Sequence, residues 1–332
     1  MNLLITGVGG FVGPHLADAV RDAGGRAWGA SLEAQPPAGL TGGELPGGDL
    51  IERYVRWDVA QGPDGGAPAL AWGPDAIVHL AGQASAARSF EDPAGTFAAN
   101  ATGTLALLEA ARRVRFRGRV LVVSSSEVYG RLPEGRPAGE DAPVAPVSPY
   151  GASKAAAEAL AHAYARGFGL EVVIARSFSH TGPGQGPAFA LASWARQIAE
   201  CEARHARGEP GPFTLKVGNL AVVRDYSDVR DVVQAYLTLL ERGESGAAYN
   251  VASGRGVALG EALRLLLTHA RAPIDVVEDP TRHRPADLTY LVGDPARLKA
   301  LGWAPRFEIV ETLEALLDGA RREVGATVQG GS

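Results

Sequence analysis

The chain has 332 residues, of which 46% are apolar and 21% charged, enough to bury a core as one large or two modest domains. A net charge of -5 without a long basic run argues against a nucleic-acid or anionic membrane partner. The single cysteine, Cys201, excludes an internal disulfide, and no clustered Cys/His pattern indicates a metal site. Because no signal-peptide pattern or membrane-spanning apolar run occurs, we expect a cytoplasmic protein.

The first predicted element is a strand that leads into a glycine-rich turn. Asn2 to Thr6 is a short apolar run, and a helix is predicted from about Phe11 to Ala23. Glycines between them let the backbone approach a pyrophosphate, while the helix N-terminus supplies N–H groups; a Gly-rich turn without a ligand is the alternative. The residues of this turn predicted to bind a dinucleotide are Gly7, Gly10, Phe11, Val12 and Gly13.

The second predicted strand, Arg26 to Ala30, ends where dinucleotide-binding folds often place an acidic residue for the ribose of NAD. Ser31 occupies that place, and Glu33 follows two residues later. No Lys or Arg occurs between Ser31 and Glu52 to meet the 2′-phosphate of NADP. The sequence therefore leaves NADH and NADPH both open.

Two further strands are predicted at Tyr54 to Val59 and Ala76 to Ala81, with a loop from Gln61 to Gly73 between them. Asp58 could contact the adenine or be an ordinary loop carboxylate, and Gly82 begins a turn that would pass under the cofactor. The cofactor-binding residues predicted here are Asp58, Val59, Leu80, Ala81 and Gly82.

Polar residues then follow the fifth predicted strand, Arg119 to Ser124, which comes after a long predicted helix from Phe97 to Val114. Ligands of open α/β sheets bind beyond the carboxyl ends of the strands. Hydroxyls and a carboxylate at this edge predict a functional site, although a strand-capping serine turn is the alternative. The residues concerned are Ser124, Ser125, Ser126 and Glu127.

A helix that starts at Ser148 carries Tyr150 and Lys154, four residues apart and so on one face. A cation beside a phenol favours the phenolate, and we therefore expect Lys154 to lower the pKa of Tyr150. A tyrosine shifted in this way can exchange a proton with a carbonyl oxygen or an alcohol. An exposed Tyr and Lys on a surface helix is the alternative.

The second half continues the alternation of strands and helices. Basic side chains at Lys216, Arg224, Arg282 and Arg284 fit either a solvated surface or a nucleotide diphosphate, which Arg meets bidentately. The predicted elements are a strand at Leu170 to Ala175, a loop at Arg176 to Gly186, a helix at Leu191 to Arg204, a strand at Phe213 to Val217, a helix from Ser227 or Asp228 to Arg242, a last sheet strand at Ala247 to Val251, and helices at Leu259 to His269 and Val310 to Val324.

Five blocks in order, ITGVGGFVG, HLAGQAS, SSSEVYG, SPYGASK and YNVASG, resemble the extended short-chain dehydrogenases/reductases that act on nucleotide sugars. The segments RSFSHTGPGQ and KVGNLAVVRDYSDVRDVVQAY resemble the branch that reduces GDP-4-keto-6-deoxy-D-mannose to GDP-D-rhamnose. The resemblance implies an α/β fold, with a Rossmann-type doubly wound parallel sheet in residues 1–175 plus about 226–252. A smaller mixed α/β substrate domain is expected in about 176–225 plus 253–330.

The resemblance also implies roles. Ser125, Tyr150 and Lys154 would be the catalytic trio, supported by Asn100, with Glu127 in the place of the dehydratases' acid and base. NADPH or NADH would be the cofactor, a GDP-sugar the substrate and a homodimer the assembly. The alternatives are a GDP-mannose 4,6-dehydratase, a nucleotide-sugar 4-epimerase and a non-catalytic dinucleotide-binding protein. The implied substrate-binding residues are Ser126, Ser179 (where the branch usually has Asn), Lys216, Asn219, Arg224 and Arg284.

Overall fold

A computed structural model describes residues 1–37, 40, 49–282 and 288–329. The strands are β1 (Asn2–Thr6), β2 (Arg26–Ser31), β3 (Arg53–Arg56), β4 (Ala76–His79), β5 (Arg119–Ser125), β6 (Val172–Ser177), β7 (Ser179–Thr181), β8 (Thr214–Val217), β9 (Val223–Asp228), β10 (Ala248–Val251), β11 (Gly256–Ala258), β12 (Asp275–Glu278) and β13 (Tyr290–Leu291). The α-helices are α1 (Val12–Asp22), α2 (Ala67–Ala71), α3 (Ala86–Glu91), α4 (Pro93–Phe97), α5 (Gly103–Arg113), α6 (Pro149–Phe168), α7 (Ala190–Ala206), α8 (Val229–Arg242), α9 (Leu259–Thr268), α10 (Ala296–Ala300) and α11 (Ile309–Gln329).

Seven parallel strands form the central sheet, in the order β3-β2-β1-β4-β5-β6-β10. The apolar runs of these strands are buried on both faces; Leu3, Leu4 and Ile5 of β1 are all 0% exposed. The strand order reverses between β1 and β4, because the chain adds β2 and β3 on one side of β1 and β4 on the other. Such a reversal opens a crevice at the carboxyl ends of the strands.

Helices cover both faces of this sheet. Leu16 of α1 and Tyr236 of α8 belong to one hydrophobic core, while Leu107 of α5 and Ala161 of α6 belong to another. Side chains of β1 alternate between the two cores, as a pleated strand requires. This arrangement confirms the predicted Rossmann-type doubly wound fold.

The remaining elements form a smaller mixed α/β part. Strand β9 pairs with β7 and β13 in parallel and with β11 antiparallel, and β12 pairs with β8. Helices α7, α9 and α11 enclose a third core, which includes Leu191, Leu263 and Leu316. The domain boundaries predicted from the sequence stay a prediction. Among the described residues, no helix is both long and apolar enough to cross a bilayer.

Three sequence predictions in the first half are corrected. The predicted loop from Gln61 to Gly73 contains α2, a five-residue helix too short for the 3.6-residue period to be read. The predicted strand at Tyr54 to Val59 ends at Arg56, and Val59 begins a 3₁₀ turn capped by Asp58. The predicted helix from Phe97 is also interrupted, by a π-helical turn at Ala98–Thr102.

In the second half, two segments are more regular than predicted. Arg176 and Ser177 end β6 rather than beginning a loop, and β7 follows at once. The segment before α8 is strand β9, whose last residue, Asp228, caps the helix as predicted. Strand β7 has only three residues, all polar, and β9 is mostly polar, so neither shows the apolar alternation by which a strand is recognised in a sequence.

Candidate active site

The glycine turn after β1 lies against the end of β4. Gly7 has a φ of +71°, and a Cβ there would lie 2.6 Å from the backbone nitrogen of Ala81. A Cβ on Gly13 would overlap the carbonyl oxygen of Val8, and the Gly10 N–H donates to the Gly7 carbonyl at 3.0 Å. Only glycine fits at Gly7 and Gly13, and the turn opens α1 at the crevice of the sheet. The backbone here therefore fits a dinucleotide pyrophosphate.

Gly82 lies where the predicted catalytic side chains meet the turn. Its φ is +157°, and a Cβ would lie 2.5 Å from Asn100 Oδ1 and 3.7 Å from Lys154 Nζ. A Cβ at Gly82 would therefore displace the Asn100 side chain, while Lys154 Nζ lies at ordinary contact distance. Gly82, Asn100 and Lys154 thus lie together at one end of the crevice. Leu80 and Ala81 connect Gly82 to the end of β4.

Tyr150 lies in the first turn of α6. Ser148 caps this helix by accepting from the Gly151 N–H at 3.0 Å, and Pro149 takes the first helical position. The phenol is only 9% exposed. Burial raises the pKa of Tyr150 to about 12, an effect that the neighbouring Ser125 hydroxyl opposes and the charge of Glu127 increases. The expectation that Lys154 lowers this pKa is wrong, because burial of the phenol raises it and Lys154 is not among the groups that offset this effect.

Lys154 itself points toward the end of β5, where its Nζ donates to the Val123 carbonyl at 2.9 Å. Burial lowers the pKa of Lys154 to about 8, and the charge of Glu158, one turn further along α6, opposes the decrease. The ammonium group is therefore held at the carboxyl edge of the sheet, next to Gly82.

The polar residues after β5 lie beside Tyr150. Ser125 is the last residue of β5, and its Oγ accepts from the Glu127 N–H at 3.2 Å. Ser126, 3% exposed, starts the 3₁₀ turn that follows. Glu127 Oε2 accepts from the Ser148 hydroxyl at 2.8 Å, which joins this turn to the cap of α6. The structure therefore brings Ser125, Glu127 and Tyr150 together, as the sequence predicted.

Asn100 lies in the π-helical turn and connects three elements. Its Oδ1 accepts from the Gln83 N–H at 2.8 Å, and its Nδ2 donates to the Gln83 carbonyl at 3.0 Å and to Ser153 Oγ at 2.9 Å. Ser153 in turn donates to the Tyr150 carbonyl at 2.7 Å. Single π turns recur at functional sites, where they re-aim one side chain. Sequence analysis missed Gln83 and Ser153, although both belong to the recognised blocks HLAGQAS and SPYGASK.

His79, at the end of β4, was also missed. It is 3% exposed, and its Nδ1 is 2.8 Å from Thr6 Oγ1. Its Nε2 has no hydrogen-bond partner among the described residues. Burial, with a smaller contribution from the charge of Lys154, lowers the pKa of His79 to about 3, so the ring is neutral. The sequence did contain a signal for this residue, because His79 is the single polar residue of the strand AIVH.

The predicted adenosine end of the site lies at the ends of β2 and β3. Ser31 donates to the Glu33 carboxylate and lies 2.8 Å from the Tyr54 hydroxyl. The Asp58 carboxylate accepts from the Ala60 N–H and from the Gln61 side chain, both at 3.0 Å, so it caps its own turn. Val59 is 5% exposed. Contact of Asp58 and Val59 with adenine stays a prediction.

Apart from Ser126, which follows β5, the described residues predicted to bind substrate lie on the smaller part of the fold. Lys216 is exposed on β8, and Asn219 accepts from the Ala221 N–H in the following turn at 3.0 Å. Ser179 lies on β7, while Arg224 on β9 donates to the Leu288 carbonyl at 2.5 Å. Arg284 falls outside the described residues. That these residues surround one ligand stays a prediction.

Phe11 connects the glycine turn to the loop after β7. Its ring stacks on His180, with centroids 6.0 Å apart and planes 8° from parallel. The Nε2 atom of the neighbouring His15 lies 2.9 Å from the Pro183 carbonyl oxygen. These contacts place the start of the second half directly against the turn predicted to hold the dinucleotide.

The fold and the site define a short-chain dehydrogenase/reductase of the extended type. The sequence model of the family described as GDP-mannose 4,6 dehydratase matches residues 70–316. A Pseudomonas aeruginosa GDP-6-deoxy-D-mannose reductase is 38% identical over 95% of both chains, and a Streptomyces niveus dTDP-glucose 4,6-dehydratase is 31% identical over 95% of this chain and 92% of its own. The chain belongs to this family of nucleotide-sugar oxidoreductases, which confirms the resemblance predicted from the sequence.

Solved structures agree with this membership. RMD from Pseudomonas aeruginosa, complexed with NADPH, is 36% identical with a TM-score of 0.80 over 97% of this chain and 99% of its own. A Thermus thermophilus UDP-glucose 4-epimerase in complex with NAD is 32% identical with a TM-score of 0.83 over the same shares. Both are dinucleotide complexes of the fold described above.

Proposed function

We propose that this protein reduces the C4 ketone of GDP-4-keto-6-deoxy-D-mannose to GDP-D-rhamnose, with NADPH or NADH as the reductant. The observation that carries the proposal is the contact of Tyr150 with Ser125 at the end of β5, where Lys154 donates to the Val123 carbonyl and lies near Gly82, next to a glycine turn that fits a pyrophosphate. The 38% identity to a GDP-6-deoxy-D-mannose reductase supports the choice of substrate. Gly7, Gly10 and Gly13 would hold the pyrophosphate, and Lys154 the nicotinamide ribose.

In this proposal a bound NADPH or NADH supplies the hydride that reduces the C4 carbon. Tyr150 transfers its phenolic proton to the sugar oxygen as negative charge develops there. Ser125 donates a second hydrogen bond to the same oxygen and so stabilises the developing charge. Lys154 provides a positive charge one helical turn from the phenol, and this charge stabilises the phenolate that remains. Solvent then returns the proton to Tyr150.

The test is incubation of the purified protein with GDP-4-keto-6-deoxy-D-mannose and each reduced cofactor, with the product identified by NMR. We expect cofactor oxidation and GDP-D-rhamnose. Tyr150→Phe should reduce kcat by at least ~100-fold, the lower range for general acid catalysis, without loss of folding. The buried Tyr236→Phe, which removes a hydroxyl bonded to Ser177 at 2.7 Å, is the matched control. Near-normal turnover of Tyr150→Phe would contradict the mechanism.

A dehydratase reaction is the second candidate, favoured by one contact. The Glu127 carboxylate is held by Ser148 beside Tyr150, where a dehydratase would need its acid and base. Incubation with GDP-mannose and no added reductant separates the two reactions. A 4-keto product would favour the dehydratase, whereas unchanged GDP-mannose would favour the reductase.

We also propose a homodimer formed through α4, α5 and α6. Three large apolar side chains on these helices are exposed: Phe97 by 43%, Leu105 by 38% and Phe168 by 57%. A second copy of the chain could cover them. Light scattering of the purified protein should give twice the chain mass, and Leu105→Glu should give a monomer. Val276→Glu, which alters an exposed valine on β12, should leave the dimer intact. A monomeric parent protein would contradict the proposal.

A further inference from the structure

The end of β2 carries a carboxylate although the expected acidic position is a serine. Glu33 turns back so that its Oε2 accepts a hydrogen bond from Ser31 Oγ. The Tyr54 hydroxyl lies 2.8 Å from Ser31 Oγ and donates to the Glu33 carbonyl at 2.7 Å. The Ser31 and Tyr54 hydroxyls thus hold the side chain and the backbone of Glu33, by one hydrogen bond each, at the carboxyl edge of the sheet.

This carboxylate adjoins the glycine turn. A Cβ on Gly9 would lie 3.5 Å from Glu33 Oε2 and 3.6 Å from Ser31 Oγ, which is ordinary contact distance. The Pro37 ring also packs against Gly9, with its Cγ 2.7 Å from where a Cβ would lie, so the lack of a side chain at Gly9 leaves room for this ring and for both oxygens beside the turn. In dinucleotide-binding folds the adenosine ribose lies between the glycine turn and the end of the second strand.

The charge at this position is negative. The hydrogen bond from Ser31, followed by one from its own backbone, lowers the pKa of Glu33, so the carboxylate is ionised at neutral pH. The sequence has no Lys or Arg between Ser31 and Glu52. The nearest cation on the adjoining strand is Arg56, which pairs with Ser31 across the sheet and directs its Nε to the Leu32 carbonyl at 3.0 Å.

We propose that Glu33, held by Ser31, accepts hydrogen bonds from the adenosine ribose hydroxyls, and that this chain therefore binds NADH in preference to NADPH. A 2′-phosphate would replace a hydroxyl donor by an anion against a fixed carboxylate, and like charges at short range repel. The inference rests on the dinucleotide site of the proposed function but not on the identity of the sugar.

The test uses ADP-ribose and its 2′-phosphorylated form, which probe the adenosine end without any reaction, together with NADH and NADPH. Dissociation constants come from calorimetric titration of the full chain at one ionic strength. We expect ADP-ribose and NADH to bind at least ~10-fold more tightly than their 2′-phosphorylated counterparts. Glu33→Gln, which keeps an acceptor for Ser31, should reduce this ratio by at least ~10-fold, mainly through tighter binding of the phosphorylated ligands.

Glu52→Gln is the matched control, because it removes the same charge from an exposed residue at the opposite, amino edge of β3. It should leave the ratio unchanged. Arg56→Gln in the Glu33→Gln background should weaken binding of the phosphorylated ligands and leave ADP-ribose unaffected. Equal or tighter binding of NADPH by the parent protein, or an equal shift for both ligands in Glu33→Gln, would overturn the proposal. Failure of every ligand to bind would overturn both it and the dinucleotide site, whereas selective binding without turnover of the GDP-sugar would refute only the proposed reaction.

Discussion

Burial controls the charge states of Tyr150, Lys154 and His79 at one end of the crevice. Desolvation raises the pKa of Tyr150 to about 12 and lowers the pKa of Lys154 to about 8 and of His79 to about 3. Tyr150 therefore carries its proton throughout the physiological range, as a general acid for ketone reduction must. The sequence could predict that a phenol and an amine share a helix face, but it could not predict how far each is removed from water.

The first residue-scale prediction concerns Lys154. Because its pKa is about 8, the ammonium charge is lost above that pH, well before Tyr150 titrates. We expect kcat/KM for the reduced cofactor, which reports the free protein, to fall as pH rises through about 8. In Lys154→Arg, whose guanidinium keeps its charge, residual kcat/KM should fall only at higher pH. An unchanged basic limb in this variant would assign the decrease to another group.

The second residue-scale prediction concerns His79. Its pKa is about 3 in the folded chain against an ordinary value of 6.5, so between these values the unfolded chain binds the extra proton. Stability should therefore decrease as pH falls through this window, with His79 contributing about 1.4 kcal/mol per pH unit. His79→Gln, measured by urea unfolding, should flatten this slope by that amount. His205→Gln, which changes an exposed histidine on α7, should not alter it.

Helix α6 is the element that organises the candidate site. Its first turn presents Tyr150, its second Lys154 and its third Glu158, while its cap, Ser148, also holds Glu127. One helix thus sets the spacing of four groups at the carboxyl edge of the sheet. Displacement of its N-terminus would move the proposed proton donor and the neighbouring carboxylate together.

The element-scale prediction tests this cap. Ser148→Ala removes the acceptor for the Gly151 N–H and the donor to Glu127, and it should lower the free energy of unfolding by about 1 kcal/mol. We expect kcat to decrease as well, since Tyr150 lies two residues beyond the cap. Ser148→Thr keeps the hydroxyl and should restore both quantities in unfolding and rate measurements. Loss of activity in the threonine variant equal to that in alanine would show that the hydroxyl is not the cause.

Elements with a clear signal were predictable. Ser148 followed by Pro149 and an alanine-rich run predicted the start of α6, and the apolar run of β1 predicted its bounds. Strand β12 gave no such signal, because each of its four residues is exposed and its pattern depends on pairing with β8. The position of the Glu33 carboxylate could not be predicted either, because it depends on a bend of the chain and on hydrogen bonds from Ser31 and Tyr54.

At the scale of the whole molecule, a buried ion pair joins helix α6 to strand β6 of the central sheet. Glu158 of α6 contacts Arg176 of β6 at 2.8 Å and accepts from the Ser124 hydroxyl at 2.5 Å. Arg176 also donates to the Tyr129 hydroxyl at 3.0 Å. That hydroxyl in turn donates to Oδ1 of Asn250, on β10, at 2.7 Å. The network therefore passes from the active-site helix through three strands.

The whole-molecule prediction concerns this pair. Glu158→Gln or Arg176→Gln leaves one buried charge uncompensated, and each should cost about 3–5 kcal/mol of unfolding free energy. The double variant should be more stable than the sum of the single losses implies, because neither charge then remains. The exposed Arg196 and Glu200 pair on α7 is the control, with a coupling of about 0.3–0.5 kcal/mol. Additive losses at Glu158 and Arg176 would contradict the prediction.

The last strand of the central sheet is separated in the chain from the strand beside which it lies. Strand β6 ends at Ser177, but β10 begins only at Ala248, about 70 residues later. On a ribosome this delay lasts roughly 4 to 14 seconds. During that time β6 exposes a row of unpaired backbone groups, which is a template for pairing with other chains. The nascent protein therefore exposes a pairing edge during this interval, which a chaperone could cover.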